Sequence, residues 1–332
     1  MALESATYVS GLVDTNPPGS DSISQGDDHI RLIKKVLGNS FPSSISAATV
    51  PDISGNGDKY LQVNSGATGT QWASVRQRGY VSRAAIEYSS TTQILIGAGE
   101  YEVDDGTTPK NYYWDSQLTF TIGSGGSNAS SSDAGTSQWQ YLYIDDSSIS
   151  ASPLVAASFL NSTTAPAYSQ TKHGWYNGSD RCIFAFYIDS SGNIDKYYHS
   201  GSDYVSLDDD YTELAYGTAT IGSWTPVSLT RVPSFSSEAE LSWRLKSDGP
   251  EKDSCYWKWR TTGSSTSNGH LLGVTEGGGG AYDDEHVSAN VRSYVATSIT
   301  DTSKSVEYYA TSTDTDHKIE INSNGFYLPG GM

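Results

Sequence analysis

Three kinds of side-chain cluster in this sequence could do chemistry. One pairs aromatic rings with hydrogen-bonding neighbours: Trp175, Tyr176 and Asn177 ahead of Gly178, and Tyr282 and Asp283 ahead of Asp284-Glu285-His286, close to the run Gly277 to Gly280. Flat aromatic faces beside donors and acceptors suit saccharide recognition, and loops are where such groups are displayed. On the plainer reading, the rings close one end of a β-sandwich and the glycines give slack. Another kind gathers oxygen donors at Asp208-Asp209-Asp210 and Asp283-Asp284-Glu285-His286, without the ordered spacing and fixed turn of a calcium loop. Solvated acidic loops are the expectation there.

The third kind is histidine. His29, His173, His199, His270, His286 and His317 are scattered, with no HExxH and no closely paired spacing, so no metal and no cofactor is expected. No GxSxG elbow, Walker A motif or GxGxxG occurs, and the four glycines from Gly277 do not open a helix that could hold phosphate. Glycoside cleavage needs only two carboxylates, and among 38 acidic residues the sequence singles out no pair. The chain therefore reads as a protein that is not an enzyme. Cys182 and Cys255 sit in strand-like runs and read as buried, reduced thiols.

The elements that must position these groups are strands. Charged residues make up 17% of the chain, with 33 Gly, 23 Tyr and 8 Trp, a composition of stiff strand formers and loops. Alternation is sharpest where Ala239, Leu241, Trp243 and Leu245 share one face, with Glu240, Ser242, Arg244 and Lys246 on the other. Cys255, Trp257 and Trp259 repeat the pattern, so these tryptophans read as core. Further strands are expected over 94–96, 101–103, 117–122, 138–144, 181–188, 194–198, 291–296, 306–310 and 319–321, with a hairpin across 189–193. The fold class is mainly β: an N-terminal extended arm and short helix, a β spacer, then two antiparallel β-sandwich or jelly-roll-like domains. The expected divisions are 1–45, 46–79, 80–216 and 217–332.

The one helical stretch runs from Ser24 to Asn39. Asp27 and Asp28 place negative charge at the positive end of its dipole, Lys34 and Lys35 lie toward the other end, and Gly38 then Pro42 supply a stop. Ile30, Ile33 and Leu37 form one apolar row, with Leu32 and Val36 beside it, on a helix too short to be stable alone. Burial against copies of itself or a docking partner follows. Before it, Pro17, Pro18 and Gly19 impose an extended arm with a bend. After it, Lys59 to Asn64 and Thr70 to Val75 read as two small strands around Ser65 to Gly69.

The net charge of −18 repels a phosphate backbone and an anionic membrane alike, so nucleic-acid binding is not expected. No run approaches the ~18 apolar residues of a membrane span, and no membrane insertion is expected. Met1 to Ser10 lacks a basic n-region and an apolar h-region, which points to synthesis in a cytosol without secretion by that route.

The stretch Met1-Ala2-Leu3-Glu4-Ser5-Ala6-Thr7-Tyr8-Val9-Ser10, through Thr15-Asn16-Pro17 and Gly19-Ser20-Asp21 to Ser24-Gln25-Gly26-Asp27-Asp28-His29-Ile30-Arg31-Leu32-Ile33-Lys34 and Phe41-Pro42, resembles the N-terminal segment of many phage tail-fibre and related virion appendage proteins. Tyr60 to Asn64 with Gly69 to Trp72 is similar to a short spacer that follows it. The resemblance implies a virion-proximal anchor formed by Pro17, Asp27, Asp28, His29, Ile30, Arg31, Leu32, Ile33, Lys34 and Leu37. It also implies a homotrimer that docks on tail or head proteins and carries distal β-domains that bind a host-surface glycan or protein. The expected function is that of a phage tail fibre subunit, assembled in the host cytoplasm and located in the virion as a tail appendage. The alternatives are a head fibre or capsid decoration protein and, from the enzyme class, a surface-glycan depolymerase. No repeating apolar rung of a depolymerase β-helix occurs in residues 80–332.

Overall fold

The computed structural model describes residues 6–7, 26–40, 59–63, 70–74, 79, 81–106, 109–149, 152–246, 254–265, 269–276, 288–297, 304–311 and 317–332. Contacts divide the chain into two compact units, Met1–Gln77 and Arg78–Met332.

The first unit holds the helix Gly26–Ser40. Gly38 is tolerated inside it at a cost of about 1 kcal/mol against Ala, and the helix runs on to Ser40. The last turn therefore carries no basic residue, and Lys34 and Lys35 lie further from the C-terminal end than the sequence suggested. Its two apolar rows have different environments. Val36 is buried and Leu32 half-buried, while Ile30, Ile33 and Leu37 are 53%, 45% and 45% exposed. Asn39 Nδ2 donates to the Thr7 carbonyl at 3.1 Å. The spacer strands form as expected: Lys59–Val63 and Thr70–Ser74 pair antiparallel, Leu61 opposite Trp72.

The described strands of the second unit pair in antiparallel sheets, with one isolated parallel bridge between Ile221 and Ala310. Two three-stranded sheets come first, one of Val81–Ser82, Gly99–Asp104 and Pro109–Trp114, the other of Ile86–Ser90, Gln93–Ile96 and Leu118–Thr121. A first five-stranded sheet has Phe159–Ser162, Gln138–Ile144, Asp180–Ile188, Gly174–Asn177 and Ala167–Ser169 in that spatial order. A second runs Tyr197–Tyr198, Tyr204–Thr218, Lys318–Tyr327, Glu238–Lys246 and Ser288–Ala296. A four-stranded sheet of Thr225–Ser228, Ser305–Thr311, Ser254–Thr261 and His270–Glu276 completes the unit. The alternating rows account for the core. Ala239, Leu241, Trp243, Leu245, Cys255, Trp257 and Trp259 are all buried, in one cluster with Val306, Ala310, Ile319 and Ile321. Both cysteines are free and buried.

Several local expectations meet a different outcome. The 189–193 turn closes, with Asp189 accepting from Ser191 N and Asn193 N at 2.8 Å each, but the hairpin is limited to a bridge at Ile188 and Ile194. The chain then leaves, and Tyr197–Tyr198 pairs with Tyr204–Thr218 in the second five-stranded sheet. Asp208, Asp209 and Asp210 are not in a loop. They lie inside Tyr204–Thr218, where the register slips between Ser206 and Tyr211, so the strand carries its acidic residues at an irregularity. The division expected at 216/217 falls within that same strand, which pairs along Lys318–Tyr327. Residues 78–332 accordingly form one unit.

Candidate functional site

Trp175, Tyr176 and Asn177, read as loop residues, form the strand Gly174–Asn177. Trp175 is 6% and Tyr176 5% exposed. Alternation does not reveal this strand because both its faces are covered. Trp175 Nε1 donates to the Gly330 carbonyl at 3.2 Å, and its ring packs edge-on against Tyr168. Tyr176 receives the Asp104 amide at 3.2 Å and lies beside the Arg181 guanidinium. The protein itself covers these rings. Asn177 and Asp180 face each other across the two-residue turn Gly178-Ser179. Tyr282, Asp283 and Pro17 lie outside the described residues, as does the Asp27 side chain. Among the described residues, no group of three or more His, Cys, Asp or Glu could hold a metal ion.

A different surface gathers aromatic and charged groups: the outer face of the second five-stranded sheet. Its register sets Tyr198 opposite Ser206, Ser206 opposite Gly325, Gly325 opposite Glu240 and Glu240 opposite Tyr294, one continuous row over five strands. Side chains directly opposite in an antiparallel sheet share a face. The end tyrosines, Tyr198 and Tyr294, are 56% and 57% exposed. The neighbouring row begins with Tyr204 opposite Tyr327, their rings 5.0 Å apart, and Tyr294 meets Tyr327 edge-on at 6.0 Å. Gly325 makes room for this arrangement. A Cβ there would lie 2.6 Å from the Val205 carbonyl oxygen and run into the Tyr204 ring.

Glu240 sits at the centre, buried beneath the tyrosines. Its Oε2 accepts from the Tyr204 hydroxyl, and its Oε1 lies 3.7 Å from Arg292 Nη1. Burial first, and then the hydrogen bond to Glu240, push the Tyr204 phenol well above its ordinary range, so it stays a donor at any physiological pH. At the other end, Lys196 Nζ pairs with Asp208 at 3.0 Å and lies 5.3 Å above the Tyr198 ring. The Tyr198 hydroxyl, followed by Asp208, raises the ammonium's pKa, and the Tyr198 hydroxyl followed by Lys196 lowers that of Asp208. Both groups remain charged.

Two depressions open on this side. One, about 540 Å³, is lined by Glu87, Tyr88, Lys196, Tyr198, Ser202, Tyr204 and Ser206. The other, about 420 Å³, is lined by Asp210, Ser242, Arg244, Asn290, Arg292, Glu320 and Asn322. Arg292 and Tyr294 are two apart on one strand and so project to the same side. Half-exposed rings, hydroxyls, amides and fixed charges together give a surface that can stack on a sugar ring and hydrogen-bond its hydroxyls. Sequence reasoning placed Glu240, Ser242 and Arg244 on the polar face of their strand but missed the tyrosines. The period-two run Asn290, Arg292, Tyr294 was the available signal.

No protein-family model and no curated protein matches the chain. Among solved structures, 85% of it aligns at 9% identity and a TM-score of 0.18 with a glycoside hydrolase family 43 arabinoxylan arabinofuranohydrolase from Bacillus subtilis, spanning 63% of that enzyme's length. Similarly, 87% aligns at 9% identity and a TM-score of 0.20 with 74% of a VP2 protein of infectious bursal disease virus. Likenesses this slight carry no argument about fold or activity.

Proposed function

We propose that the chain is a virion appendage subunit, a phage tail fibre, that docks by its N-terminal segment and binds a host-surface saccharide through the tyrosine face of its second five-stranded sheet. The observation that carries the binding role is the cross-strand row from Tyr198 to Tyr294, with an exposed ring at each end and the buried Glu240 between them. Docking and self-association as a trimer rest on the resemblance of the N-terminal segment and on the exposed row Ile30, Ile33 and Leu37. Weak saccharide contacts repeated on three chains and several fibres add up through effective concentration, so no single strong site is required.

The test is binding of the full chain to a glycan array, followed by titration of the retained glycans. Tyr294→Ala and Tyr198→Ala each remove an exposed ring without opening the core. Each should weaken binding about three- to tenfold. Binding to glycans that neither substitution changes overturns the assignment of this face. Immunolabelling of intact particles separates a tail from a head position, and release of reducing ends from host polysaccharide would mark a depolymerase.

A further inference from the structure

Arg244 and Arg292 occupy the 420 Å³ depression next to the tyrosine row, and both present their guanidinium groups outward. Their side chains are 53% and 70% exposed, whereas the glutamates behind them, Glu320 and Glu240, are 22% and 11% exposed. The contacts between them are 3.6 Å and 3.7 Å, close enough for charge attraction but too long for hydrogen bonds. Arg244 is further held over the Tyr216 ring, 4.4 Å from its centre. Each arginine is thus attracted from the sheet by a less exposed glutamate while its own side chain stays open to solvent at the depression.

We infer that this depression binds the oxyanion of an acidic saccharide, received by the forks of Arg244 and Arg292 while the sugar ring lies toward Tyr294. The inference rests on the saccharide-binding reading and adds the charge class of the ligand. The register supports a shared grip. Ser242 pairs with Arg292 and Arg244 with Asn290 on adjacent strands, so the two arginines are diagonal neighbours on one face, with Ser242 and Asn290 completing the square. A planar guanidinium matches a carboxylate or a phosphate in two parallel hydrogen bonds, which fixes orientation as well as charge. Of the carboxylates nearby, Glu240 also accepts from Tyr204 and Asp210 accepts from the Asn324 amide, while Glu320, 3.6 Å from Arg244, is the one the ligand's oxyanion must compete with. The −18 net charge opposes long-range attraction of an anion, so recognition must come from these short-range contacts.

The experiment uses the full chain and matched probes. These are oligosaccharides of galacturonate, glucuronate and N-acetylneuraminate, each beside its carboxyl-reduced counterpart, together with a phosphorylated oligosaccharide beside its dephosphorylated form. At least one acidic probe should bind about tenfold or more tightly than its neutral counterpart, the range expected of one or two charge-assisted hydrogen bonds. Whether the carboxylate or the phosphate arm shows the preference identifies the oxyanion. Arg292→Gln and Arg244→Gln should each remove most of the preference, with the acidic probe losing several-fold more affinity than its neutral counterpart. A preference that survives both substitutions, or neutral probes bound as well as acidic ones, overturns this inference while the saccharide reading stands. If no probe and no array glycan binds, both fall.

Discussion

His199 has to remain neutral to keep its place. It is buried, with Nδ1 accepting the Ile86 amide at 3.0 Å and Nε2 2.9 Å from the Ser202 carbonyl oxygen, so the proton belongs on Nε2. Protonation would put a second N–H against the Ile86 amide, two donors face to face in a site already packed on Phe184. Burial lowers its pKa below the ordinary 6.5, outweighing the hydrogen bond to the Ser202 carbonyl and the weaker pull of Asp203, with the nearby Arg83 charge acting in the same direction as burial. A depressed pKa on a basic group means that the unfolded chain takes up the proton first. The stabilisation is complete above about pH 6.5 and is lost as pH falls through the folded value. Urea midpoints at pH 7.5 and pH 5 should therefore fall further apart for the wild type than for His199→Gln. Equal shifts in the two proteins would mean that this histidine does not set the acid sensitivity.

Strands with one wet face are legible in sequence, and strands with two covered faces are not. Glu238–Lys246 alternates because solvent reaches Glu238, Ser242, Arg244 and Lys246 on its outer face, whereas Gly174–Asn177 buries Trp175 and Tyr176 in succession. The tyrosine row is illegible for another reason. Its members come from positions 198, 206, 325, 240 and 294, and only the pairing of distant strands makes them neighbours. The helix is the opposite case, because its apolar rows are written within fifteen residues. The row of Ile30 and Ile33 faces outward in the single chain while Val36 is buried, so a charge on the outer row should spare the chain and harm only what covers it. Ile30→Asp with Ile33→Asp should leave thermal unfolding of Arg78–Met332 unchanged. In light scattering the variant should lose mass relative to the wild type, and it should be absent from purified particles. Variant chains that still associate and still assemble would remove the outer row from the anchor.

The second unit closes on itself through its last four described residues, which no local pattern announces. Each of their carbonyls meets a side-chain donor from far earlier in the chain: Pro329 and Met332 from Arg83 at 3.3 Å and 2.7 Å, Gly330 from Trp175 at 3.2 Å, and Gly331 from Arg181 at 2.9 Å. Arg181 is fully buried and also donates to the carbonyls of Gly79 and Glu102, so one guanidinium joins the first residues of the unit to the last. Gly174 lies against that guanidinium, where a Cβ would stand 3.1 Å from it. Such a centre is costly to disturb, because losing the tail takes one acceptor from the buried Arg181 charge and at the same time leaves the Arg83 and Trp175 donors without theirs. Removing residues 329–332 should cost about 3–5 kcal/mol, and at about 2–4 °C per kcal/mol for a unit of this size the melting temperature should fall by about 10 °C. Arg181→Met removes the charge and its need for acceptors together, so its cost and that of the deletion should not add in the double variant. Strict additivity in calorimetry would mean that the tail and Arg181 act independently, and the closure would then owe its strength to the buried Met332 side chain instead.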